Sequence, residues 1–245
     1  GQVGLWAGTG SAAVKFDDFQ VRSLNADLAV DGRFTDDVGP CSISSGQYLM
    51  SSGGDTRQSV LHGVRIGGEY VVQTDITVRN GASAGLIVNY QDPENFGVVA
   101  FALAGSNAII YYQQFEDGKG LATRASGSFF TATDNTAYTL KAVVTESGGN
   151  QTMNVYVNGT NRLTTGAIDD TWSAGYVGLW RGKTDLGGSP NTLDQVFDDF
   201  KVGVDQNADG DVDDASDHLF ASYDFGTSWT TLDLTYDNNG NLTAD

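Results

Sequence analysis

Along most of this chain apolar and polar residues alternate with a period of two. Between Glu69 and Val78, Tyr70, Val72, Thr74, Ile76 and Val78 fall on one face and Glu69, Gln73, Asp75 and Thr77 on the other, which predicts a half-buried strand. The same kind of pattern predicts strands over 85–90, 96–103, 108–115, 137–146 and 152–157. Turn chemistry separates them: Gln91-Asp-Pro-Glu-Asn95, Glu116-Asp-Gly-Lys-Gly120 and the two-residue hairpin signal Asn158-Gly159. No stretch keeps a helical period beyond a turn or two. Many short strands without βαβ alternation predict an all-β fold, an antiparallel β-sandwich.

The chain also repeats itself. Gly1-Gln-Val-Gly-Leu-Trp6-Ala-Gly8 returns 174 residues later as Gly175-Tyr-Val-Gly-Leu-Trp180-Arg-Gly182, and Phe16-Asp-Asp-Phe19-Gln-Val21 returns 181 residues later as Phe197-Asp-Asp-Phe200-Lys-Val202. A period of that size implies tandem domains rather than a short solenoid repeat. Residues 1–23 are therefore read as the closing strands of a preceding like module, and residues 24–203 as one complete module. Val3, Leu5, Trp6, Phe16, Phe19 and Val21 then need cover, either from a free edge of this sandwich or from a neighbouring chain by strand addition, a route to self-association into a fibre.

In the second copy of the Phe-Asp-Asp-Phe phrase, two adjacent carboxylates break the alternation, so Asp198 would point inward if Phe200 and Val202 do. A buried carboxylate needs a partner. A bulge that returns Asp198 to solvent and a structural cation both satisfy that need.

Composition narrows the class. With 40% hydrophobic residues, 32 Gly, 3 Pro and 18% charged residues, the chain is globular rather than disordered or membrane-inserted. A net charge of −18 repels nucleic acid and anionic membrane surfaces and favours cations as partners. Cys41 is the sole cysteine, so no internal disulfide forms and thiol pairing says nothing of the compartment.

The order of a Gly46-Gln-Tyr48 strand, the long Tyr-Val-Val-Gln-Thr-Asp-Ile strand, Ser83-Ala-Gly-Leu-Ile87, the turn Asp92-Pro-Glu-Asn-Phe96, the Asn158-Gly159 hairpin and the closing Gly-Tyr-Val-Gly-Leu-Trp with Phe-Asp-Asp-Phe resembles the concanavalin A-like lectin/glucanase jelly rolls, of the laminin-G-like kind found in secreted bacterial proteins. The resemblance implies two curved sheets, a concave face where many relatives bind sugars, and often a structural calcium. It does not imply an activity.

Glucanases of that fold set two or more carboxylates on one strand, because both must reach the same bond. Here the only glutamates are Glu69, Glu94, Glu116 and Glu146, none in such a pattern, with Glu94 and Glu116 in predicted turns. His62 and His218 lack zinc-ligand spacing and read as surface residues. The chain is thus expected not to be an enzyme, and a glycoside hydrolase is disfavoured. For a glycan site, Tyr90, Tyr111, Tyr112, Phe115 and Trp172 are the aromatic candidates, against the alternative that rings at strand spacing fill the core. The adjacent pair Tyr111-Tyr112 forces one ring outward.

The sharpest motif is Asp-rich. Asp205, Asn207 and Asp209 at positions 1, 3 and 5, Gly210 at 6, Asp211, and Asp213 at 9 reproduce the calcium loop of EF-hands and dockerins, with Asp214 or Asp217 to complete the shell. Ser216 stands where the bidentate Glu belongs, and the flanks are strand-like. Residues 204–218 are read as a calcium-loop linker, the alternative being a solvated acidic linker; Asp198 is added as a further metal candidate. Finally Tyr236-Asp-Asn-Asn-Gly-Asn-Leu-Thr243 resembles one unit of the RHS or YD repeats of very large secreted or surface-attached bacterial proteins, so residues 219–245 are read as the start of such a repeat. Together these readings give a calcium-stabilised, non-catalytic structural or adhesive module of an extracellular protein. The alternative is a carbohydrate-binding, lectin-like module with glycans as partners.

Overall fold

Period-two burial organises the protein into stacked sheets. The computed structural model describes residues 34–38, 41–51, 56–120, 125–168, 172, 174–183, 193–206, 212, 217–225, 235–236 and 242–243. The expectations for residues 1–23 lie outside these. Among the described residues no helix is long and apolar enough to cross a membrane.

One sheet has nine strands. Its path runs β1 (Phe34–Val38), β4 (Arg57–Gly67), β15 (Ala174–Arg181), β6 (Ala82–Asp92), β7 (Asn95–Ala104), β8 (Asn107–Glu116) and β10 (Ala125–Ser126), with the short β9 (Lys119–Gly120) and β11 (Phe130–Thr131) also paired to β8. The other has eight: β14 (Thr160–Thr164), β13 (Asn150–Val157), β12 (Thr136–Ser147), β5 (Tyr70–Val78), β16 (Gln195–Val204), β3 (Gln47–Met50) and β2 (Cys41–Ser44), with β17 (His218–Tyr223) on β16. All their pairings are antiparallel, so the fold is the expected all-β sandwich. On β5 Tyr70, Val72, Thr74, Ile76 and Val78 are buried, as the alternation requires, and Val71 is buried too, on the opposite face.

Between the sheets lies one continuous core that includes Tyr48, Leu61, Val72, Leu86, Phe101, Tyr112, Leu140, Val155, Leu179 and Phe197. Polar side chains staple its ends. At one, Tyr70 Oη of the eight-stranded sheet donates to Asn89 Oδ1 of the nine-stranded sheet (3.2 Å), and Asn89 Nδ2 donates to Gln151 Oε1 (2.8 Å). Burial pushes the Tyr70 hydroxyl pKa up, so it stays a neutral donor. At the other end, Arg181 Nε and Gln195 Nε2, one from each sheet, donate to the same carbonyl, that of Leu193 (3.1 and 3.2 Å). Tyr48 and Ser59 hydroxyls also bond across the layers.

The Phe-Asp-Asp-Phe conflict is resolved by a bulge. Between Asp198 and Lys201 the β16–β5 register shifts, Asp199 takes φ 45°, and Phe197, Phe200 and Val202 all point inward. The bulge sits where the partner of β16 changes from β3, paired at Gln195–Phe197, to β17, paired at Phe200–Val204.

One boundary moves. Residues 204–218 are not an interdomain linker, and the sandwich does not stop at 203: β17 pairs back onto β16, with Val204 opposite His218, and Ala221, Tyr223 and Phe225 join the core. The Asp-rich stretch therefore connects two paired strands, and Ala221, Tyr223 and Phe225 are buried against the sandwich. Farther on, β18 (Thr235–Tyr236) and β19 (Leu242–Thr243) form a separate two-stranded antiparallel sheet within the stretch that carries the RHS/YD resemblance.

The glycines of the repeated phrase have a steric cause. A Cβ at Gly178 would fall on the carbonyl oxygen of Ser59, one at Gly175 on the backbone of Asn89, and one at Gly182 against Ser83 Oγ and the Trp180 ring. Gly178→Ala is expected to destabilise the fold by about 3 kcal/mol or more, because backbone must shift to admit the methyl. Gly166→Ala, at a position with open space, is expected to change stability by less than about 1 kcal/mol. Urea melts of both variants check this.

Candidate functional site

Side chains on the outer face of the nine-stranded sheet can be read off its register. Gln58, Trp180, Gly85, Ala100 and Tyr111 are successive Cα partners across β4, β15, β6, β7 and β8, and so form one row on one face. The next row is Val60, Gly178, Ile87, Val98 and Gln113. Between Trp180 and Tyr111 the row carries only the small residues Gly85 and Ala100, and Gly178 stands next to Trp180 on the same face of β15; all three are buried. The Trp180 ring runs along β15 toward Gly182, and the Tyr111 hydroxyl reaches across β7 to hydrogen-bond Ser83. Burial pushes the Tyr111 pKa up, with the Ser83 bond opposing, so the hydroxyl is neutral at physiological pH.

The far end of this face is built from the β6–β7 hairpin, which curls. Asn89 adopts φ 51° and the β6–β7 register shifts between Val88 and Asp92. The carbonyl of Pro93 at the tip accepts from Gln58 Nε2 (3.2 Å), although Gln58 pairs with Trp180 at the opposite end of β15 from the residues beside the tip. The tip therefore arches back over the sheet. Asp92 Oδ1 holds the turn by accepting from the Glu94 backbone N–H (2.8 Å). Under the arch Tyr90, Phe96 and Trp180 pack with Val60, Ile87, Val98 and Ala100 as a second apolar cluster. Phe115 stacks on Phe96 at 4.6 Å, and the exposed His62 contacts Tyr176 at 4.9 Å and Tyr90 at 5.9 Å.

Of the five aromatic candidates, Tyr90, Tyr111 and Phe115 are brought together here. Tyr111 and Phe115 are half-buried, whereas Tyr90 is a support beneath the surface, 1% exposed. Tyr112 requires correction: it points inward, 1% exposed in the core, because strand residues on either side of a peptide face opposite ways and Tyr111 takes the outer side. Trp172 is apart, on the connection between β14 and β15. Trp180, Tyr176, Gln58 and Ser83 were missed. Trp180 stands in the repeated phrase, but its face depends on register across three strands.

Of the metal candidates, Asn207, Asp209, Asp211, Asp213 and Asp214 lie outside the described residues. Asp205 and Asp217 sit at the two mouths of the hairpin loop, where Asp217 Oδ1 accepts from the Gln206 backbone N–H (3.2 Å), and Val212 midway is buried. Asp198 is half-buried on the outer face of the eight-stranded sheet, opposite Asp75. Among the described residues no group of three or more His, Cys, Asp or Glu converges as for a metal.

Neither family models nor curated protein sequences match this chain. Among solved structures its fold is similar to the carbohydrate binding module CBM66 from Bacillus subtilis, at 16% identity and a TM-score of 0.53, covering 69% of this chain and 94% of that one. It also aligns with a xylan beta-1,4-xylosidase from Bacillus halodurans C-125 (15% identity, TM-score 0.48, 76% of this chain and 41% of that one). A third alignment is with a Bacillus subtilis protein of unknown function with a galectin-like fold (12%, 0.46, 73% and 91%). At these identities the likeness is one of fold alone, an antiparallel β-sandwich.

Asp198 offers an electrostatic test. Partial burial raises its pKa, with the Asp199 and Asp75 charges adding to the rise and hydrogen bonds from the Asp199 N–H and Gln47 opposing it. A carboxyl whose folded pKa is raised binds more protons folded than unfolded, so stability falls as pH climbs from the ordinary aspartate value through the raised one. Asp198→Asn, melted in chelator, is expected to be more stable than the parent at pH 7, with the gain shrinking on acidification toward pH 4. An unchanged difference between the two pH values would contradict the assignment.

Proposed function

We propose that this protein is a carbohydrate-binding, lectin-like module without catalytic activity, and that its site is the outer face of the nine-stranded sheet. The observation that carries the reading is the pairing of half-buried aromatic rings, Tyr111, Tyr176 and Phe115, with amide and hydroxyl groups, Gln58, Gln113 and Ser83, around the small residues Gly85 and Ala100. Sugars present flat apolar C–H faces and a rim of hydroxyls, and such a surface matches both. That a module described as carbohydrate-binding has the same fold supports the reading without identifying a glycan.

Absence of turnover rests on the residues of the two rows. None is Asp or Glu, whereas glycoside hydrolysis needs two carboxyl groups about 5–10 Å apart across the scissile bond. Calcium is proposed as a stabiliser rather than a ligand bridge. Six carboxylates between Asp205 and Asp217 repel one another across a hairpin loop whose ends are tied by β16 and β17, and a divalent ion there would offset that repulsion. On the sequence resemblances alone, we place the module in a larger extracellular bacterial protein. The repeated phrases support a second reading, a structural or adhesive array of such modules that self-associates.

An array of neutral and acidic glycans, probed with calcium present, is expected to show binding to neutral glycans that Tyr111→Ala lowers about tenfold or more. A dark array would leave the structural reading. Incubation with laminarin, agar, carrageenan, alginate and xylan is expected to release no reducing ends or unsaturated products.

Chelator is expected to lower the melting temperature, since a ligand held only by the native state stabilises it by about 2.7 kcal/mol at a hundredfold excess over its dissociation constant. Asp209→Ala should remove most of that difference. Superimposable melts with and without chelator would reduce the loop to a solvated acidic one.

A further inference from the structure

Among the described residues seven buried side-chain polar atoms have no hydrogen-bond partner, and two of them belong to the outer face. The indole N–H of Trp180 finds no acceptor and Oε1 of Gln58 no donor, and both atoms are buried. The residues are 4% and 3% exposed, and they are direct Cα partners on β15 and β4. An unmade donor and an unmade acceptor thus belong to residues paired across adjacent strands. The orientation of the Gln58 amide is set by its other end, since only Nε2 can donate to the Pro93 carbonyl. Buried polar groups are satisfied in the great majority of cases, and two neighbouring exceptions of opposite sense call for a shared cause.

One chemical group satisfies both. A neutral hydroxyl accepts from the indole N–H through its oxygen and donates its own proton to the amide oxygen. A carboxylate or sulfate only accepts, leaving Gln58 unmet, and would enter a chain of net charge −18. An ammonium only donates, leaving Trp180 unmet. We propose that Gln58 and Trp180 are the specificity-determining residues of this face, reading a hydroxyl of an uncharged sugar, and that the turn at Asp92–Asn95 gives way to admit it. The proposal rests on the carbohydrate-binding reading of the same face.

The turn is suited to that movement. Asp92, Pro93 and Glu94 are exposed, while Tyr90 and Phe96 on either side are buried anchors. Its hold on Gln58 is a single long hydrogen bond. Lifting the Pro93 carbonyl uncovers the amide and strains or breaks the turn's two ties to the β8–β9 turn, from the Gly118 N–H to the Glu94 carbonyl (3.0 Å) and from the Asp117 N–H to Asn95 Oδ1 (3.2 Å). A sugar hydroxyl then completes what the closed turn leaves unmade.

Calorimetric titration of the parent, Gln58→Met, Trp180→Phe and Tyr111→Ala tests this with xylohexaose, cellohexaose and maltohexaose as neutral probes and hexagalacturonate as the acidic one, beside ligand-free melts. Gln58→Met keeps the side chain's length and removes its hydrogen bonding. It is expected to weaken binding of the neutral probe about tenfold or more while moving the melting temperature by no more than about 2 °C. Trp180→Phe is expected to weaken binding at least as much, and hexagalacturonate not to bind. The inference is overturned if both variants bind within about twofold of the parent, or if Gln58→Met loses affinity only along with a fall of about 5 °C or more in melting. Loss of binding in Tyr111→Ala with both others unaffected would overturn the inference alone; a parent that binds none of the three neutral probes would overturn the reading of the face as well.

Discussion

Close backbone approach along β15 is the constraint on which the rest of this structure depends. The strand lies inside the nine-stranded sheet, between β4 and β6, and at Gly175 and Gly178 the backbone of a neighbouring strand occupies the space a Cβ would need, while just past its end, at Gly182, the Ser83 and Trp180 side chains do. Gly85 repeats the condition one strand over, where a Cβ would fall on the Val99 carbonyl. Glycine in a strand costs conformational entropy, so four such positions clustered together are retained for what they permit. They permit close strand approach beneath the outer face, where Gly85 and Ala100 separate Trp180 from Tyr111.

That face distinguishes the two sheets. A sandwich needs one buried face per sheet, yet the nine-stranded sheet packs both: the core on the inside and, on the outside, Val60, Ile87, Val98, Ala100 and Trp180 under the curled β6–β7 tip. The curl follows from the αL residue Asn89 and the register shift beside it, and the same Asn89 side chain staples the sheets through Tyr70 and Gln151. One residue thus bends the strand outward and anchors the bend inward. Held from both sides at Asn89, the base of the arch sets Tyr90 and Phe96 in a defined arrangement while its tip stays exposed, as the proposed recognition of a flat, hydroxyl-rimmed ligand would need.

On the eight-stranded sheet the organising event is the bulge at Asp198–Asp199. Three large apolar residues, Phe197, Phe200 and Val202, cannot all face inward at strict period two, and the extra residue lets them do so while leaving one carboxylate half-buried and the other exposed. It also marks where β3 yields to β17. The return of β17 turns the Asp-rich stretch into a hairpin loop of the sandwich itself, so any ion held there would bear directly on the stability of the sheet edge.

How far the chain could be read without coordinates follows from which interactions are local. Alternation along Tyr70–Val78, the Asn158-Gly159 turn with both residues at positive φ, and the recurrence of Gly-x-Val-Gly-Leu-Trp are written in neighbouring residues, and they determined the all-β sandwich and its turns. Adjacency also required that Tyr111 and Tyr112 face opposite ways. It could not say which ring went inward, because that depends on the register of β8 against β7. Nor could it place Gln58 beside Trp180, 122 residues away in sequence, since that contact is made only when β4 and β15 pair. The same holds for 218–225, whose apolar residues read as the start of another unit until pairing with β16 gave them a core to enter. Period and turn chemistry are properties of the chain, so the sequence by itself determined the kind of fold; faces, boundaries and the composition of the site are properties of strand register, and only the tertiary structure decided them.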